Sequence, residues 1–317
     1  MRRVIIDTDG GVDDALALLL ALAWPGAQVD AITTVHGNVP VEAATRNVGE
    51  ILRIAGVETT VAQGAASPLL AAAVAAREVH GFDGLGGWTA IQRPHALRVD
   101  SRPPQKLIPL LARQAPGALT LVTIGPLTNA ALAAREDPEG FRMLKELVLM
   151  GGAVWEPGNV TSTAEFNIFA DPEAAHEVVH SGIPTLLVGL DVTRKVVLTR
   201  ERLEGALGNR SDLRARFLRH ICAHMFSFYR SVLGTEMFYL HDPLAVGAAL
   251  DRSFVAAVPL AVDVEASGDL TRGMVVAERR AWVRKPANVE VSTSVEAGRF
   301  LDTFCDLVLS TGAAPPA

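Results

Sequence analysis

The stretch Val4–Leu22, VIIDTDGGVDDALALLLAL, constrains the fold more than any other part of this chain. Val4-Ile5-Ile6 is a β-branched apolar run of the kind that forms a buried strand, and the alanine- and leucine-rich segment ending at Leu22 reads as a core helix. Between them Asp7, Asp9, Asp13 and Asp14 surround a Gly10-Gly11 turn. Side chains two apart on a strand share a face, so Asp7 and Asp9 are expected to leave the strand end together. The glycine pair lets the chain reverse. Asp13 and Asp14 then return in the first helical turn, where the helix dipole favours carboxylates. The full set is costly, because like charges about 4 Å apart repel by roughly 4 kcal/mol at an effective dielectric near 20. Protonation or a hard cation must relieve that repulsion, and an all-oxygen set suits Ca²⁺ or Mg²⁺. One or two of these aspartates alone would read as caps and turn residues. All four at the end of a first buried strand read as a ligand site, since α/β sheets bind ligands there.

The rest of the chain repeats the alternation of short apolar strands with helices, which calls for a mainly parallel open sheet flanked by helices. Strands are expected at Val29–Val35, near Val61, at Leu119–Ile124, Leu147–Met150 and Thr185–Leu190. Helices are expected at Val41–Ala55, Leu69–Ala76, after Pro103-Pro104, after Asn129, from Asp171-Pro172, over Arg200–Tyr229, at Leu244–Leu250 and at Val295–Leu309. Asp171-Pro172-Glu173 has the form of an N-cap followed by proline in the first turn. Val258–Val291 alternates polar and apolar residues and suggests a small antiparallel addition. Arg77–Pro94, Ala153–Ala170 and Arg230–Leu240 lack either period and read as loops. No linker, repeat or charge block divides the chain, so residues 1–312 are expected to form a single domain with a frayed tail at 313–317.

Composition narrows the partners. A net charge of −6 gives no basic field for nucleic acid or an anionic membrane. No apolar run reaches membrane-spanning length. The MRRVIID start is too short for a signal peptide, and Cys222 and Cys305 sit in apolar helical patterns rather than a disulfide framework. A soluble, cytoplasmic protein is the expectation. The polar residues of interest recur at the carboxyl ends of the expected strands: Asp7–Asp14, Asn38, the turn at Ile124, the region after Met150, and His241-Asp242. In a parallel sheet those ends share one edge.

This constellation resembles the inosine-uridine-preferring nucleoside hydrolases. The resemblance starts at Asp7-Thr8-Asp9-Gly10-Gly11-Val12-Asp13-Asp14-Ala15 and continues through Gly37-Asn38, His80-Gly81, Gly125–Asn129 and Met150-Gly151-Gly152. It then takes in Gly158-Asn159, Ala164–Asn167, Asp171–Ala174, His241–Ala245, Thr271-Arg272-Gly273 and Ala287-Asn288-Val289. Each piece is weak alone, but together they run in consistent order along almost the whole chain. Gly10 departs from the family, where many members carry proline. The resemblance implies a Rossmann-like nucleoside hydrolase fold and a Ca²⁺ held by Asp9, Asp14, Asp242 and the main-chain oxygen of Ile124. It implies Asp9 as the general base, and Asp13, Asn38, Asn159, Glu165 and Asn167 on the ribose hydroxyls, with Phe166 and Met150 also against the substrate. His241 is the first candidate to protonate the leaving base and His80, also placed at the substrate, the second. Asp7 is expected to orient the ligands from behind. The implied partner is a ribonucleoside, and the implied assembly a homodimer or homotetramer.

The residue types fit that chemistry. Cleavage of an N-ribosidic bond places positive charge on C1′ and the ring oxygen, which carboxylates and amide oxygens stabilise. Trp88, Trp155, Tyr229 and Tyr239 lie in or beside the irregular segments, where stacking on the base and ordinary packing are both open. Two other readings stay open. Asp7-x-Asp9 after a strand also suits a Mg²⁺-dependent haloacid-dehalogenase-like phosphatase, although Lys106, Lys145 and Lys195 lack the context that class needs. A Ca²⁺-dependent ribose or nucleoside binder without turnover is the third reading. An EF-hand is excluded, because no acidic residue stands at the twelfth position of the loop.

Overall fold

The structure is a computed structural model that describes residues 1–70, 74–88 and 97–310. The chain begins β1 (Arg2–Thr8), α1 (Val12–Ala23), β2 (Ala27–Thr34), α2 (Val41–Ala55), β3 (Thr60–Gln63), α3 (Arg77–His80) and α4 (Pro104–Gln114). It continues with β4 (Leu119–Thr123), α5 (Thr128–Glu136), α6 (Pro138–Phe141), β5 (Glu146–Met150), α7 (Phe166–Ala170), α8 (Pro172–Val179), β6 (Thr185–Val188) and α9 (Leu190–Thr193). Next come β7 (Val197–Thr199), α10 (Arg200–Leu207), α11 (Leu213–Leu233), β8 (Met237–Tyr239) and α12 (His241–Leu250). The last elements are β9 (Val255–Leu260), β10 (Val262–Val264), β11 (Val275–Ala277), β12 (Val289–Val295) and α13 (Ala297–Phe304).

Among the described residues eight strands form one sheet in the order β3-β2-β1-β4-β5-β6-β12-β9. Every pairing is parallel except that of β12 with the edge strand β9. β10–β11 and β7–β8 are separate antiparallel pairs. The mainly parallel α/β sheet with a small antiparallel addition is thus as the sequence pattern requires. The strand period of two sorts side chains onto two cores. Val4, Ile6, Val122, Ile124, Val148 and Met150 face one side, with α1, α11 and α12. Ile5, Leu121, Leu147 and Leu149 face the other, with α4, α5 and α8. α1 is buried from Val12 to Ala21 and packs against α12. Each of its buried leucines contributes about 1.5–3 kcal/mol, so the helix that carries Asp13 and Asp14 is among the least mobile parts of the molecule.

The topology also fixes where the site lies. From β1 the chain runs outward through β2 and β3, then crosses back to place β4 on the other flank of β1. The strand order therefore reverses between β1 and β4, and a crevice opens beyond their carboxyl ends. Asp9 and Ile124 stand there, each one residue beyond its strand.

Several expectations change. β6 stops at Val188, and Leu190–Thr193 turn into a short helix. The helical patterns expected over Arg200–Tyr229 hold as two helices, separated where Gly208 takes φ +51 and Asp212 caps the second. The loop expected over Arg230–Leu240 is instead the end of α11 and strand β8, which pairs with β7. Residues 69–70 and 74–76 of the expected Leu69–Ala76 helix are not helical. The remainder of that helix, the end of the Arg77–Pro94 loop and the tail at 313–317 lie outside the described residues. No helix among the described residues is long and apolar enough to cross a membrane.

Candidate active site

β1 ends at Thr8, so strand alternation no longer governs Asp9, and the two aspartates expected to point together separate. Asp7 accepts hydrogen bonds from the Thr33 hydroxyl and from Asn129 Nδ2 (2.8 Å), and its Oδ2 has no partner. Burial pushes its carboxyl up to about 7. Asp9 turns toward β2 and α1 instead. Asn38 donates its backbone N–H to Asp9 Oδ2 (2.7 Å) and its side-chain Nδ2 to Asp9 Oδ1 (2.8 Å). The same Nδ2 reaches Asp14 Oδ2 at 3.2 Å. Asn38 is thus a clamp across the two carboxylates.

Asp14 is held from below. Its Oδ2 accepts Gly11 N–H (2.8 Å), and its Oδ1 accepts Asp9 N–H (3.2 Å) and the Thr8 hydroxyl. These contacts cap the amino end of α1 and fix the turn. Gly10 takes φ +73 with Ala44 of α2 close by, a conformation the proline ring cannot adopt. A proline at this position would therefore not fit the turn as it is built here.

Asp13 and Asp242 complete the acidic floor. Asp13 Oδ2 accepts the Asp242 N–H at 2.9 Å, tying α1 to the amino end of α12 across more than two hundred residues of sequence. Its Oδ1 is buried without a partner. The Asp242 carboxylate accepts no hydrogen bond from any described residue. Burial first, and then Asp13, Asp14 and Asp9 in turn, hold its carboxyl well above the ordinary range. Burial and the Asp14 charge do the same to Asp9. Burial raises Asp13 too, partly offset by the backbone N–H groups of Asp242 and His241.

The donor set is all oxygen, and no lysine or arginine contributes to these shifts. Unpaired buried carboxylate oxygens with strongly raised pKa values are what a hard divalent cation would relieve. The residues fit such an ion in chemistry and in order along the chain. They do not form a closed ligand set by distance. Among the described residues, the three-residue group with donor atoms within 4.8 Å of one another is elsewhere, at His176, His180 and Asp263.

The opposite wall comes from β4, β5 and α7. Asn167 Nδ2 donates to the main-chain oxygens of Ile124 (3.3 Å) and Met150 (3.1 Å), which joins the ends of two neighbouring strands. Glu165 caps α7, its Oε2 accepting N–H groups from Gly152 (3.0 Å), Asn167 (3.0 Å) and Ile168 (3.4 Å). Asn159 is exposed, and its Oδ1 accepts the N–H of half-buried Phe166 (2.9 Å). The loop before it hangs from α9, where Asp191 accepts the N–H groups of Val154, Trp155 and Glu156, and Arg194 donates to the carbonyls of Pro157 and Gly158.

Glu165 carries a measurable consequence. Burial pushes its carboxyl up to about 7, against partial relief from the capping N–H groups. A carboxyl raised on folding contributes stability that is full below its unfolded pKa and is lost as pH rises through the folded one. Between pH 5 and pH 9 in chelator, the wild type is expected to lose roughly 2–3 kcal/mol more unfolding free energy than Glu165→Gln. Urea titrations at the two pH values measure this, and parallel losses in both proteins would rule out titration of Glu165 in that window.

Both candidate histidines are held below the ordinary imidazole range. His241, the first residue of α12, shares a 2.7 Å hydrogen bond between Nδ1 and the Thr193 hydroxyl. Burial first, then Arg194 and His80, push it down to about 3, so it is neutral near pH 7. His80 Nδ1 accepts the Val12 N–H (3.1 Å), which makes this side chain a cap on α1. Burial holds it down to about 4. Of the aromatic candidates, Tyr229, Tyr239 and His241 form a run of rings with centroids 5.6 and 5.5 Å apart. Trp88 is buried between α2 and α11, donating Nε1–H to Glu50 (2.7 Å) and meeting Phe217 edge-on. It anchors the glycine-rich segment and is not free to stack on a ligand. Thr8 and Asp191 were given no role in the sequence, and Thr193 and Arg194 went unremarked. Only their place at or beyond the ends of β1 and β6, on the shared edge, would have pointed to them.

The inosine-uridine preferring nucleoside hydrolase family matches residues 4–302. The chain is 37% identical over 297 residues to the non-specific ribonucleoside hydrolase RihC of Escherichia coli, covering 94% of this chain and 95% of that protein. Among solved structures it is similar to a plant nucleoside hydrolase (TM-score 0.91, 31% identity, 98% and 99% of the two chains). It is also similar to a purine-preferring ribonucleoside hydrolase from Gardnerella vaginalis (TM-score 0.90, 29% identity, 97% and 98%).

Proposed function

The chain belongs to the inosine-uridine preferring nucleoside hydrolase family and is a nucleoside N-ribohydrolase, and from that premise we propose a Ca²⁺-dependent hydrolysis of ribonucleosides to free base and ribose. The family is metal-dependent, and Ca²⁺ is our reading of which ion serves here. The observation that carries the reading is the convergence of Asp9, Asp13, Asp14 and Asp242 on one sheet edge, buried and without a cationic partner. Asp9, Asp14, Asp242 and the Ile124 carbonyl would hold the ion, which when bound supplies Lewis acidity toward a water and the vicinal ribose hydroxyls.

The chain's own residues account for the remaining steps. Asp9 takes a proton from the attacking water, whose oxygen forms the bond to C1′ while the C1′–N bond breaks and its electron pair leaves on the base. Asn38 fixes Asp9 through both carboxylate oxygens, so the base acts from one orientation. Asp13, with an unpartnered oxygen, and Asn38, Asn159, Glu165 and Asn167 position the sugar and offset the positive charge that develops on its ring. Phe166 and Met150 supply the apolar side of the sugar pocket.

His241 serves the departing base. We assign the Thr193 hydroxyl as the donor to Nδ1, an arrangement in which the proton of the neutral ring is on Nε2, ready to be donated to a base nitrogen. His80 is assigned to the α1 cap and only secondarily to the substrate. Thr193→Val and His241→Ala are both expected to lower kcat on inosine and uridine by about 10²-fold or more. Both should leave p-nitrophenyl riboside, whose leaving group needs no proton, within a few-fold of wild type. Equal losses on both substrates would assign these residues to the sugar or to structure. The reaction itself is tested by incubating the protein with Ca²⁺ and a panel of nucleosides and following release of base and ribose. No release from any of them at high enzyme concentration would overturn the proposal.

A further inference from the structure

Away from the sheet edge, His176 and His180 stand four residues apart on α8 and its carboxyl end, facing Asp263 of β10. That spacing puts both imidazoles on one helix face. Their ring centroids are 4.7 Å apart, His176 Nδ1 lies 2.8 Å from Asp263 Oδ1, and one donor atom from each of the three residues falls within 4.8 Å of the others. We propose that His176, His180 and Asp263 form a second metal site, selective for a borderline transition ion of the Zn²⁺, Co²⁺ or Ni²⁺ class. Two imidazoles and one carboxylate are the donors such ions prefer, whereas the acidic floor offers oxygen alone.

The surroundings favour ligation. His180 Nδ1 donates to the His176 carbonyl (2.8 Å), an acceptor only, so the proton is on Nδ1 and the lone pair on Nε2. A ring nitrogen braced by its neighbour in this way is the usual preparation of a metal-binding histidine. All three side chains are exposed, so no buried charge must be created. His180 and Asp263 also line an open cleft of about 960 Å³, which leaves a fourth coordination position to water. The cations of that cleft are engaged with other groups: Arg280 is paired with Glu278 at 2.5 Å, Arg279 donates to the Val154 carbonyl, and the Lys285 charge acts on the same Glu278.

The bound ion pins β10 to α8. At its far end the β10–β11 pair backs α7, where Arg272 donates to the Phe169 carbonyl (2.8 Å) and Gly273 packs on the Phe169 backbone. The proposed ion therefore braces the wall that carries Glu165 and Asn167 without touching it.

The test is calorimetric titration of Zn²⁺ into untagged full-length protein held in millimolar Ca²⁺, with thermal unfolding in parallel. One equivalent should bind and raise the unfolding midpoint. His176→Ala, His180→Ala and Asp263→Ala should each weaken that binding at least about tenfold and remove the thermal shift, while Asp242→Asn retains both. Co²⁺ in place of Zn²⁺ should give visible d–d bands in the wild type that His180→Ala abolishes. No binding to the wild type, or Zn²⁺ affinity unchanged in the two histidine variants, would overturn the proposal.

Discussion

Asp9→Asn is expected to reduce kcat by at least about 10³-fold, equivalent to roughly 4 kcal/mol of transition-state stabilisation. The amide cannot take the water's proton, and it loses the charge that would hold the cation. Asn38 presents N–H donors to both oxygens of Asp9, at 2.7 and 2.8 Å, so an amide at position 9 must set its own NH₂ against one of them. That mismatch costs about 1 kcal/mol, offset by removing one of the carboxylates crowded onto the floor, so the fold should survive. A divalent ion at a hundredfold excess over its Kd stabilises the wild type by about 2.7 kcal/mol, and that gain should shrink in the variant. Turnover within tenfold of wild type would exclude Asp9 as the base. An undiminished cation-dependent shift in unfolding midpoint would exclude it as a ligand.

Gly37→Ala is expected to damage the site as severely without touching any functional group. A Cβ at position 37 would lie 2.1 Å from Asp9 Oδ2 and 2.8 Å from Asp9 Cβ and Cγ. Either Asp9 or the Gly37–Asn38 backbone must give way, and both hydrogen bonds between Asn38 and Asp9 go with it. Overpacking of this kind costs roughly 1–3 kcal/mol, and displacing a reacting group by about 1 Å costs on the order of 10²-fold in rate. Gly205→Ala on α10 is the control, since a Cβ there meets nothing within 4 Å. It should gain up to about 1 kcal/mol in helix propensity and keep full activity. Equal rates for Gly37→Ala and wild type would show that Asp9 does not need the position Asn38 gives it.

Much of the architecture was legible because it is written in short-range periodicities. β-branched runs of four to eight residues gave the strands, and Asp171-Pro172 announced α8 through an N-cap that the structure contains, with Asp171 accepting Ala174 N–H. Errors fell where local signals are weak. β8 is only three residues, Met237–Tyr239, stabilised by pairing with β7 rather than by its own sequence. Stacking and packing were both open for Trp88, because the Glu50 that accepts its N–H lies 38 residues away.

The candidate site divides in the same way. Sequence pattern named the acidic turn Asp7–Asp14, Asn38 and His241-Asp242, because spacing and residue type are properties of the chain, and the family resemblance added Glu165 and Asn167. The pattern also fixed the common sheet edge, since a parallel sheet sends every strand's carboxyl end to one side. What each side chain holds was decided only by the tertiary structure. Asp7 and Asp9 part because β1 ends at Thr8, Asp13 grips the amino end of α12, Asn38 clamps Asp9 to Asp14, and Thr193 shares a hydrogen bond with His241. These partnerships are hydrogen bonds of about 3 Å between residues tens to hundreds apart in sequence. Strand termination, the strand-order reversal beside β1 and the packing of α1 on α12 bring them within reach, and no local pattern encodes those three facts together.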